Sequence, residues 1–446
     1  MSAIFGVNLP PSWASAPLKH LTTHLNRGSA PTYADAGPVR AISQAANQET
    51  GLEWERTRYH DHRGPLSRLK GLLYPRDILV NSTGTGTLGR VGYFSSPPDK
   101  IPCMADSHVT VVRTNPNVLD SRYCYYWLSC HPFQVYTLSA LAVGATNQIE
   151  LNRDRLGDAP VPVPPLDEQR RIGDFLDTET ARIDRINSRR ATQAKLLEER
   201  AYAVVSDALI PGILTSPRQI GPWPWLPQMD VGRPLVRLGY VCRLQNGLTV
   251  DSGRDLSGDV VSLPYLRVAN VQAGRLELDS VKEITVRRST AERSMLRAGD
   301  VLMTEGGDLD KLGRGTVWHG ELASCLHQNH IFALRPEAER LDAEYLALMT
   351  QTVHGRCYFE STGTRTTNLA STNSSKIMSF PIPLPRITEQ RRMVSQAQTS
   401  LDRIRRLRDL LGQQTSLLAE SRQALITAAV TGQFDVSTAS GRGVVS

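Results

Sequence analysis

A proline-rich segment that leads into a charged helix start occurs twice in this sequence, and it constrains the architecture more than any other feature. The first copy is PVPVPPLDEQRRI (residues 160–172) and the second is PIPLPRITEQRRM (residues 381–393). Glu168 and Glu389 occupy the same place in the two copies, 221 residues apart. Such self-similarity indicates a chain built from repeated structural units. We therefore predict two similar halves, each composed of a head, a proline strap and a long helix.

Residues outside the strap repeat at nearly the same offset. The matched pairs are Asp77/Asp300, Gly89/Gly313, Arg90/Arg314, His108/His330, Asp120/Asp342, Tyr123/Tyr345 and Asn152/Asn373. The loops between these pairs differ in sequence and slightly in length. This pattern is typical of one scaffold that carries two different surfaces.

Each head reads as an α+β unit. In the first head, β-branched runs bounded by turn residues predict strands at residues 39–43, 76–81, 91–94 and 109–113. Residues 120–130 predict a short helix capped by Asp120 or Ser121. Strands mixed with one or two helices give the α+β class.

The straps alternate proline with Val, Ile and Leu, which favours an extended or edge-strand conformation. Helices are predicted to begin with Asp167 and Thr388 as N-caps and to end near residues 211–212 and 431–432. Apolar residues recur at alternating steps of three and four in both helices, in the same register, which favours a coiled coil. Helices of about 43 residues would be roughly 65 Å long. A pseudo-twofold relation between the repeats would make the pair antiparallel.

These patterns predict two tandem heads separated by long helices. The predicted segments are a first head (residues 1–165), a first long helix (166–212), a second head (213–386), a second long helix (387–436) and a flexible tail (437–446).

Bulk composition excludes some classes of protein. The 446 residues include no apolar run long enough for a membrane span, and the first residues lack the pattern of a secretory signal. The six cysteines form no CxxC pair, which favours free thiols in the core over a zinc site. The net charge of +7 is compatible with a nucleic-acid partner, although many other proteins carry as much.

The loop GTGTLG (residues 84–89) formally matches GxGxxG. A dinucleotide site would require the loop to open a helix, but a strand pattern follows. The alternatives are an ordinary β-turn and a loop that approaches a phosphate backbone closely.

Basic residues and polar loop residues are the candidate DNA contacts, although the same residues would also suit a solvated surface. Arginine and asparagine suit guanine and adenine edges, and the loops GATNQ (residues 144–148) and GTRTTN (residues 363–368) are either turns or reading loops. The candidates are Arg40, Arg56, Arg58, Arg63, Ser82, Thr83, Thr85, Arg90, Asn147, Arg267, Arg287, Arg288, Lys311, Arg314, Arg365 and Asn368. Catalytic motifs such as GxxxxGK[ST], HExxH and GxSxG are absent, and His108 and His330 are predicted to be hydrogen-bonded structural residues.

The chain resembles the specificity subunit of type I restriction–modification systems. The resemblance rests on both strap copies and on the segments YLRVANV (265–271), GDVLMT (299–304) and RQALITAAVTGQFDV (422–436). It implies a bacterial, cytoplasmic, non-catalytic protein whose two heads recognise the halves of a bipartite double-stranded DNA target. It also implies that the helices set the gap and bind two modification subunits, which use S-adenosylmethionine to methylate adenine. Restriction subunits that use ATP and Mg²⁺ would join them, while this chain itself would hold no cofactor.

Three other interpretations remain open at this stage. The chain would otherwise be a coiled-coil adaptor that binds only proteins, or a reader subunit of another anti-phage modification system. A self-sufficient nuclease or methyltransferase is disfavoured by the missing motifs.

Overall fold

The computed structural model describes residues 3–48, 51–84, 86–144, 149–215, 235–251, 256–272, 274–307, 312–365 and 370–436. The chain forms two compact units, Met1–Arg190 with Gln413–Ser446 and Ala191–Gly412. Within these described ranges, every helix is too short or too polar to cross a membrane.

The first unit contains the first head, the start of one long helix and the end of the other. Its strands are β1 (Ala3–Ile4), β2 (Val7–Asn8), β3 (Ala14–Pro17), β4 (Thr22–Arg27), β5 (Tyr33–Ala34), β6 (Val39–Ile42), β7 (Asn47–Gln48), β8 (Gly51–Leu52), β9 (Arg58–His60), β10 (Ile78–Asn81), β11 (Val91–Tyr93), β12 (Cys103–Ala105), β13 (Val109–Thr114), β14 (Ala142–Val143), β15 (Glu150–Leu151) and β16 (Pro160–Val163). Its helices are α1 (Ser121–Ser129), α2 (His131–Tyr136), α3 (Arg153–Asp158) and the start of α4 (Leu166–Leu209).

The second unit contains the second head and the remaining parts of the long helices. Its strands are β17 (Leu235–Arg237), β18 (Cys242–Asn246), β19 (Val260–Leu266), β20 (Val271–Gln272), β21 (Arg275–Leu276), β22 (Lys282–Arg287), β23 (Asp300–Thr304), β24 (Gly306–Gly307), β25 (Gly315–Trp318), β26 (Leu326–His327), β27 (Ile331–Pro336), β28 (Thr364–Arg365), β29 (Ala370–Ser371) and β30 (Pro381–Pro383). Its helices are α5 (Arg288–Arg293), α6 (Ala343–Gln351), α7 (Val353–Thr362), α8 (Ser374–Met378) and α9 (Ile387–Val430).

The central sheet has the same strand order in the two units. It runs β11-β10-β13-β4 in the first unit and β25-β23-β27-β18 in the second, with antiparallel neighbours throughout. The apolar strand β10 is fully buried, as its β-branched sequence predicts. The four strands predicted in the first head are confirmed. The strand predicted from Arg76 begins only at Ile78, because Arg76 adopts a left-handed turn with φ of 78°.

A second sheet in each unit also follows one topology. In the first unit β6 lies between the parallel strand β12 and the antiparallel strand β9, and in the second unit β19 lies between the parallel β26 and the antiparallel β22. The two units therefore share the same strand connections, which the nearly constant offset between matched residues only suggested.

The proline straps form strands at the edge of each head. Pro160–Val163 pairs antiparallel with Ala14–Pro17, and Pro381–Pro383 pairs antiparallel with Leu235–Arg237. Proline is tolerated there because a strand in a two-stranded ladder needs only half of its backbone donors. The predicted edge-strand conformation of the straps is confirmed.

The two long helices begin one residue earlier than the caps predicted from sequence. The carbonyl of Pro165 accepts bonds from the N–H groups of Glu168 and Gln169 at 2.9 and 3.0 Å, so α4 begins at Leu166. The carbonyl of Arg386 plays the same part in α9. The prediction that Asp167 and Thr388 are N-caps is therefore wrong. Asp167 lies within the first turn, where its negative charge still favours the positive helix terminus.

Both long helices contain 44 residues, close to the predicted length. In the first unit, Ile172 and Leu176 of α4 share a core with Ile426 and Val430 of α9. In the second unit, Val205 and Leu209 of α4 share a core with Met393 and Val394 of α9. Within each unit, the start of one long helix is thus packed together with the end of the other.

Candidate nucleic-acid interface

A buried ion pair supports the central sheet of each head at the same position. Arg113 donates to both carboxylate oxygens of Asp77 at 2.7 Å, and Arg335 donates to those of Asp300 at 2.7 and 2.8 Å. Both aspartates are 1% exposed. Bidentate arginine–carboxylate pairs are geometrically specific, so these pairs fix neighbouring strands in each sheet. Asp77 and Asp300 are a matched pair of the sequence repeat, and Arg113 and Arg335 recur at nearly the same offset, but the sequence does not show that the arginines and aspartates pair.

The glycine loop between β10 and β11 is a tight turn. The N–H groups of Thr87 and Leu88 donate to the carbonyl of Gly84 at 3.2 and 3.0 Å. Gly89, with φ of 78°, packs so closely that an added Cβ would lie 2.8 Å from Cγ2 of Thr137. Because the loop leads into strand β11 and not into a helix, the dinucleotide-site interpretation is rejected.

Two of the candidate DNA contacts are fully occupied within the protein. The guanidinium of Arg40 donates to Asp99 and Thr57 at 2.7 Å and to the Tyr59 hydroxyl at 3.1 Å. This bonding holds the pKa of Asp99 below its ordinary value and raises that of Arg40. Ser82 is fully buried and lies 2.5 Å from the hydroxyl of Thr110. Arg40 and Ser82 therefore stabilise the first head and are not presented to a ligand.

A polar network surrounds the glycine loop. The hydroxyl of Thr83 lies 2.8 Å from Nδ1 of His108 and donates to Gln44 at 3.0 Å, while Arg90 donates to Gln48 at 2.7 Å. In the second head, His330 lies 2.6 Å from Glu305. The prediction that both histidines are hydrogen-bonded is confirmed. Sequence reasoning missed Gln44 and Gln48, because they follow no periodic pattern.

Exposed cations in the first head follow strand β9 and the loop after it. Arg58 lies 3.8 Å above the exposed ring of Tyr33, and Arg63 is 89% exposed beside Asp61. Arg56 forms an exposed ion pair with Glu53. Arg68 and Lys70 are exposed as well, and no carboxylate of the described chain lies within 4.0 Å of either.

Exposed cations in the second head follow strand β22 and helix α5. Arg288 is exposed and pairs with Asp259 at 2.7 Å, while the half-buried Arg287 donates to the Ser257 hydroxyl at 2.6 Å. Lys282, Arg293 and Arg297 are also exposed. The half-buried Arg267 donates to the carbonyl of Ser280 at 2.9 Å.

The basic strands β9 and β22 occupy the same place in the two topologies. In the second sheet of the first unit, β6 has the parallel strand β12 on one side and the antiparallel strand β9 on the other. In the second unit, β19 has the parallel strand β26 on one side and the antiparallel strand β22 on the other. We call the exposed cations between residues 56 and 70 of the first head, and those between residues 282 and 297 of the second head, the basic edge of each head. Sequence reasoning identified both groups of cations but not that they are equivalent. The number of residues that separates the two groups differs from the nearly constant offset between the matched pairs of the repeat.

The remaining candidates lie elsewhere. Arg314 lies 5.2 Å above the ring of Tyr202 on α4. The backbone of Arg365 pairs with Ala370 in β28 and β29, and the structure does not describe its side chain. Thr85, Asn147, Lys311 and Asn368 lie outside the described residues.

The cysteines and other metal-binding residue types form no site in the described ranges. All six cysteines are free, and burial raises the pKa of Cys103 and Cys242 to about 12. No group of three His, Cys, Asp or Glu side chains suited to a metal occurs among the described residues.

Comparison with known proteins shows similarity along most of the chain. Residues 54–196 match the family model for the type I restriction modification DNA specificity domain. The specificity subunit of the type I restriction enzyme EcoKI from Escherichia coli K12 is 25% identical over 399 residues, which cover 86% of this chain and 81% of that subunit.

Two solved structures share the fold. A chain from a study of complex assembly and conformational transition in a type I R-M system matches with a TM-score of 0.70 at 20% identity, covering 96% of this chain and all of that one. The HsdS subunit from Thermoanaerobacter tengcongensis matches with a TM-score of 0.51 at 19% identity, covering 96% of this chain and 98% of that subunit.

Proposed function

We propose that this chain is a specificity subunit of a type I restriction–modification system and that each of its heads recognises one half of a bipartite DNA target. The chain does no chemistry by itself. It directs modification subunits, which hold S-adenosylmethionine, and restriction subunits, which use ATP and Mg²⁺.

The observation that carries this proposal is the basic edge. Two heads with different loop sequences both place exposed cations on the strand antiparallel to the middle of the second sheet. Arginine and lysine side chains that neutralise phosphates release counterions from DNA, which supplies affinity for any sequence. A protein that only docked other proteins would have no reason to keep this charge at one topological position in both heads.

Sequence recognition requires side chains that reach base edges, and the two heads present different ones. The first head offers Arg58 stacked on Tyr33, whereas the second offers Arg287 and Arg288 at the end of β22. Because arginine forms paired bonds with guanine in the major groove, the positions of these residues help to set the recognised bases. The two half-sites should therefore differ from each other.

The long helices are proposed to pair as an antiparallel coiled coil with pseudo-twofold symmetry. The packing of one helix start with the other helix end within each unit supports this arrangement. A helix of 44 residues is about 66 Å long, or roughly two turns of B-DNA. Such a pair would fix the number of unread base pairs between the half-sites.

Apolar side chains left exposed on these helices offer a surface for the modification subunits. Leu407 and Leu410 of α9 are 45% and 53% exposed, and Leu196 of α4 is 56% exposed. We assign this surface to two copies of the methyltransferase subunit.

Neutralising the basic edge tests the proposal directly. Lys282→Gln and Arg293→Gln should each lower the salt dependence of binding to a mixed-sequence duplex by about one unit in the slope of log K against log salt. Arg170→Gln is the matched control, since this exposed arginine lies on α4 beside Asp167 and is not one of the cations of the basic edge. The assay uses the chain assembled with its modification subunits. Slopes that are equal for all three variants and the parent chain would contradict a DNA-binding basic edge.

A further inference from the structure

One glutamine in each strap repeat is completely buried, although glutamine is normally a surface residue. Gln169 and Gln390 follow the recurring glutamate in the first turn of α4 and α9, and each is 0% exposed. A buried amide is costly unless its donors and acceptor are satisfied. The recurrence of a buried amide at the same place therefore calls for a specific set of partners.

In the first unit, the amide of Gln169 joins the long helix to the head. Its Oε1 accepts a bond from the N–H of Asp120 at 2.8 Å. Its Nε2 donates to the carbonyl of Val118 at 3.1 Å and to the carbonyl of Pro164 at 2.9 Å. One side chain thus connects three segments, which are the helix, the strap and the loop before α1.

In the second unit, the amide of Gln390 makes the same three bonds. Its Oε1 accepts from the N–H of Asp342 at 2.9 Å, and its Nε2 donates to the carbonyls of Arg340 and Pro385, both at 2.8 Å. The partners correspond one to one with those of Gln169. We call this set of three hydrogen bonds between the long helix, the strap and the head the joint. The joint is formed by residues that repeat in both halves, and it does not depend on the variable loops of either head.

The bonded backbone belongs to the residue that caps α1 in the first head and α6 in the second head. The carboxylate of Asp120 accepts from the N–H groups of Arg122 and Tyr123, and that of Asp342 accepts from Glu344 and Tyr345. The glutamine consequently holds the start of the head helix against the start of the long helix. Only an amide side chain of this length supplies one acceptor and two donors in a plane.

We propose that Gln169 and Gln390 are positioning residues that fix the angle of each head on its long helix and thereby the permitted gap between the half-sites. This inference rests on the proposed function. A joint that loses three buried hydrogen bonds allows the head to tilt, so that half-sites with an altered gap become acceptable. The glutamines need not contact DNA for this effect.

The test measures methylation in a host that expresses the full chain with its modification subunits. Plasmids carry the two half-sites at the gap preferred by the parent chain, and at gaps one base pair shorter and longer. Gln390→Met and Gln169→Met preserve side-chain length but remove all three bonds. We expect the ratio of off-gap to preferred-gap methylation to rise at least about tenfold, since precise function requires a site held within fractions of an ångström.

The control is Gln351→Met in the second head. Gln351 donates to the carbonyls of Gly315 and Ala347, so its loss removes comparable bonds without touching the joint. Its ratio should equal that of the parent chain. A mere loss of stability would lower methylation at all gaps alike and leave the ratio unchanged in every variant.

Gln390→Asn keeps the amide but shortens its reach, and it replaces the methionine variant if that variant does not fold. An unchanged ratio in the joint variants would overturn the inference, and so would complete loss of methylation in Gln390→Asn, because a loosened joint still lets both heads bind. If the parent chain itself directs no bipartite methylation, the proposed function fails instead. The two failures are therefore distinguishable.

Discussion

Exchange of residues 1–155 for the corresponding head of a relative is expected to change one half-site completely and to leave the other half-site and the gap unchanged. The exchanged segment contains the whole basic edge of the first head, from Arg56 to Lys70. It leaves the strap, Gln169 and the long helices in place. Because the second head keeps its own sheets and core, its recognition should not respond to the exchange.

The donor head must supply a strand that pairs with the retained strap. Pro160–Val163 pairs with Ala14–Pro17, so the first residues of the donor need the same extended conformation. The half-sites are determined from the methylated motif of hybrid and parent chains assembled with modification subunits. The reciprocal exchange of residues 221–385 serves as the control and should change only the other half-site. A hybrid that retains the whole parent target would refute the assignment of one half-site to each head.

Loss of the frame arginine should destabilise a head far more than loss of any arginine on the basic edge. Arg113→Met leaves the carboxylate of Asp77 buried at 1% exposure with its bidentate partner removed. Breaking a buried pair in this way costs about 3–5 kcal/mol of unfolding free energy. Arg335→Met should have the same effect in the second unit, where Asp300 is equally buried.

Arg56→Met is the matched control for this prediction. Arg56 also pairs with a carboxylate, that of Glu53, but both side chains are well exposed. Exposed ion pairs contribute about 0–1 kcal/mol, so this variant should unfold at nearly the same denaturant concentration as the parent chain. Denaturant unfolding of the purified variants measures the difference. Equal losses for Arg113→Met and Arg56→Met would show that the buried pair does not support the sheet.

The frame of the molecule was predictable because its residues repeat. The strap prolines, the capping residues Asp120 and Asp342 and the strand at Asp300 recur at an almost constant offset, and their local preferences agree with the structure. The helix starts were misplaced by one residue because Asp167 is a good cap by type. The carbonyl of Pro165, however, already accepts the first helical bonds.

The interface was less predictable because residue type does not reveal what a side chain contacts. Arg40 does not differ in residue type from the other candidate arginines, yet its guanidinium is occupied by Asp99, Thr57 and Tyr59. The equivalence of β9 and β22 depends on strand pairing between distant segments. The role of Gln169 likewise depends on a partner about 50 residues earlier in the chain, at Asp120.

The central claim is that one chain carries two readers held at a fixed separation. Methylome sequencing of a host that expresses the chain with a co-purifying modification subunit tests it most directly. We predict a single asymmetric motif with methylated adenine in two unlike half-sites, separated by a constant number of unread base pairs. A continuous motif, two identical half-sites or a variable gap would contradict the account.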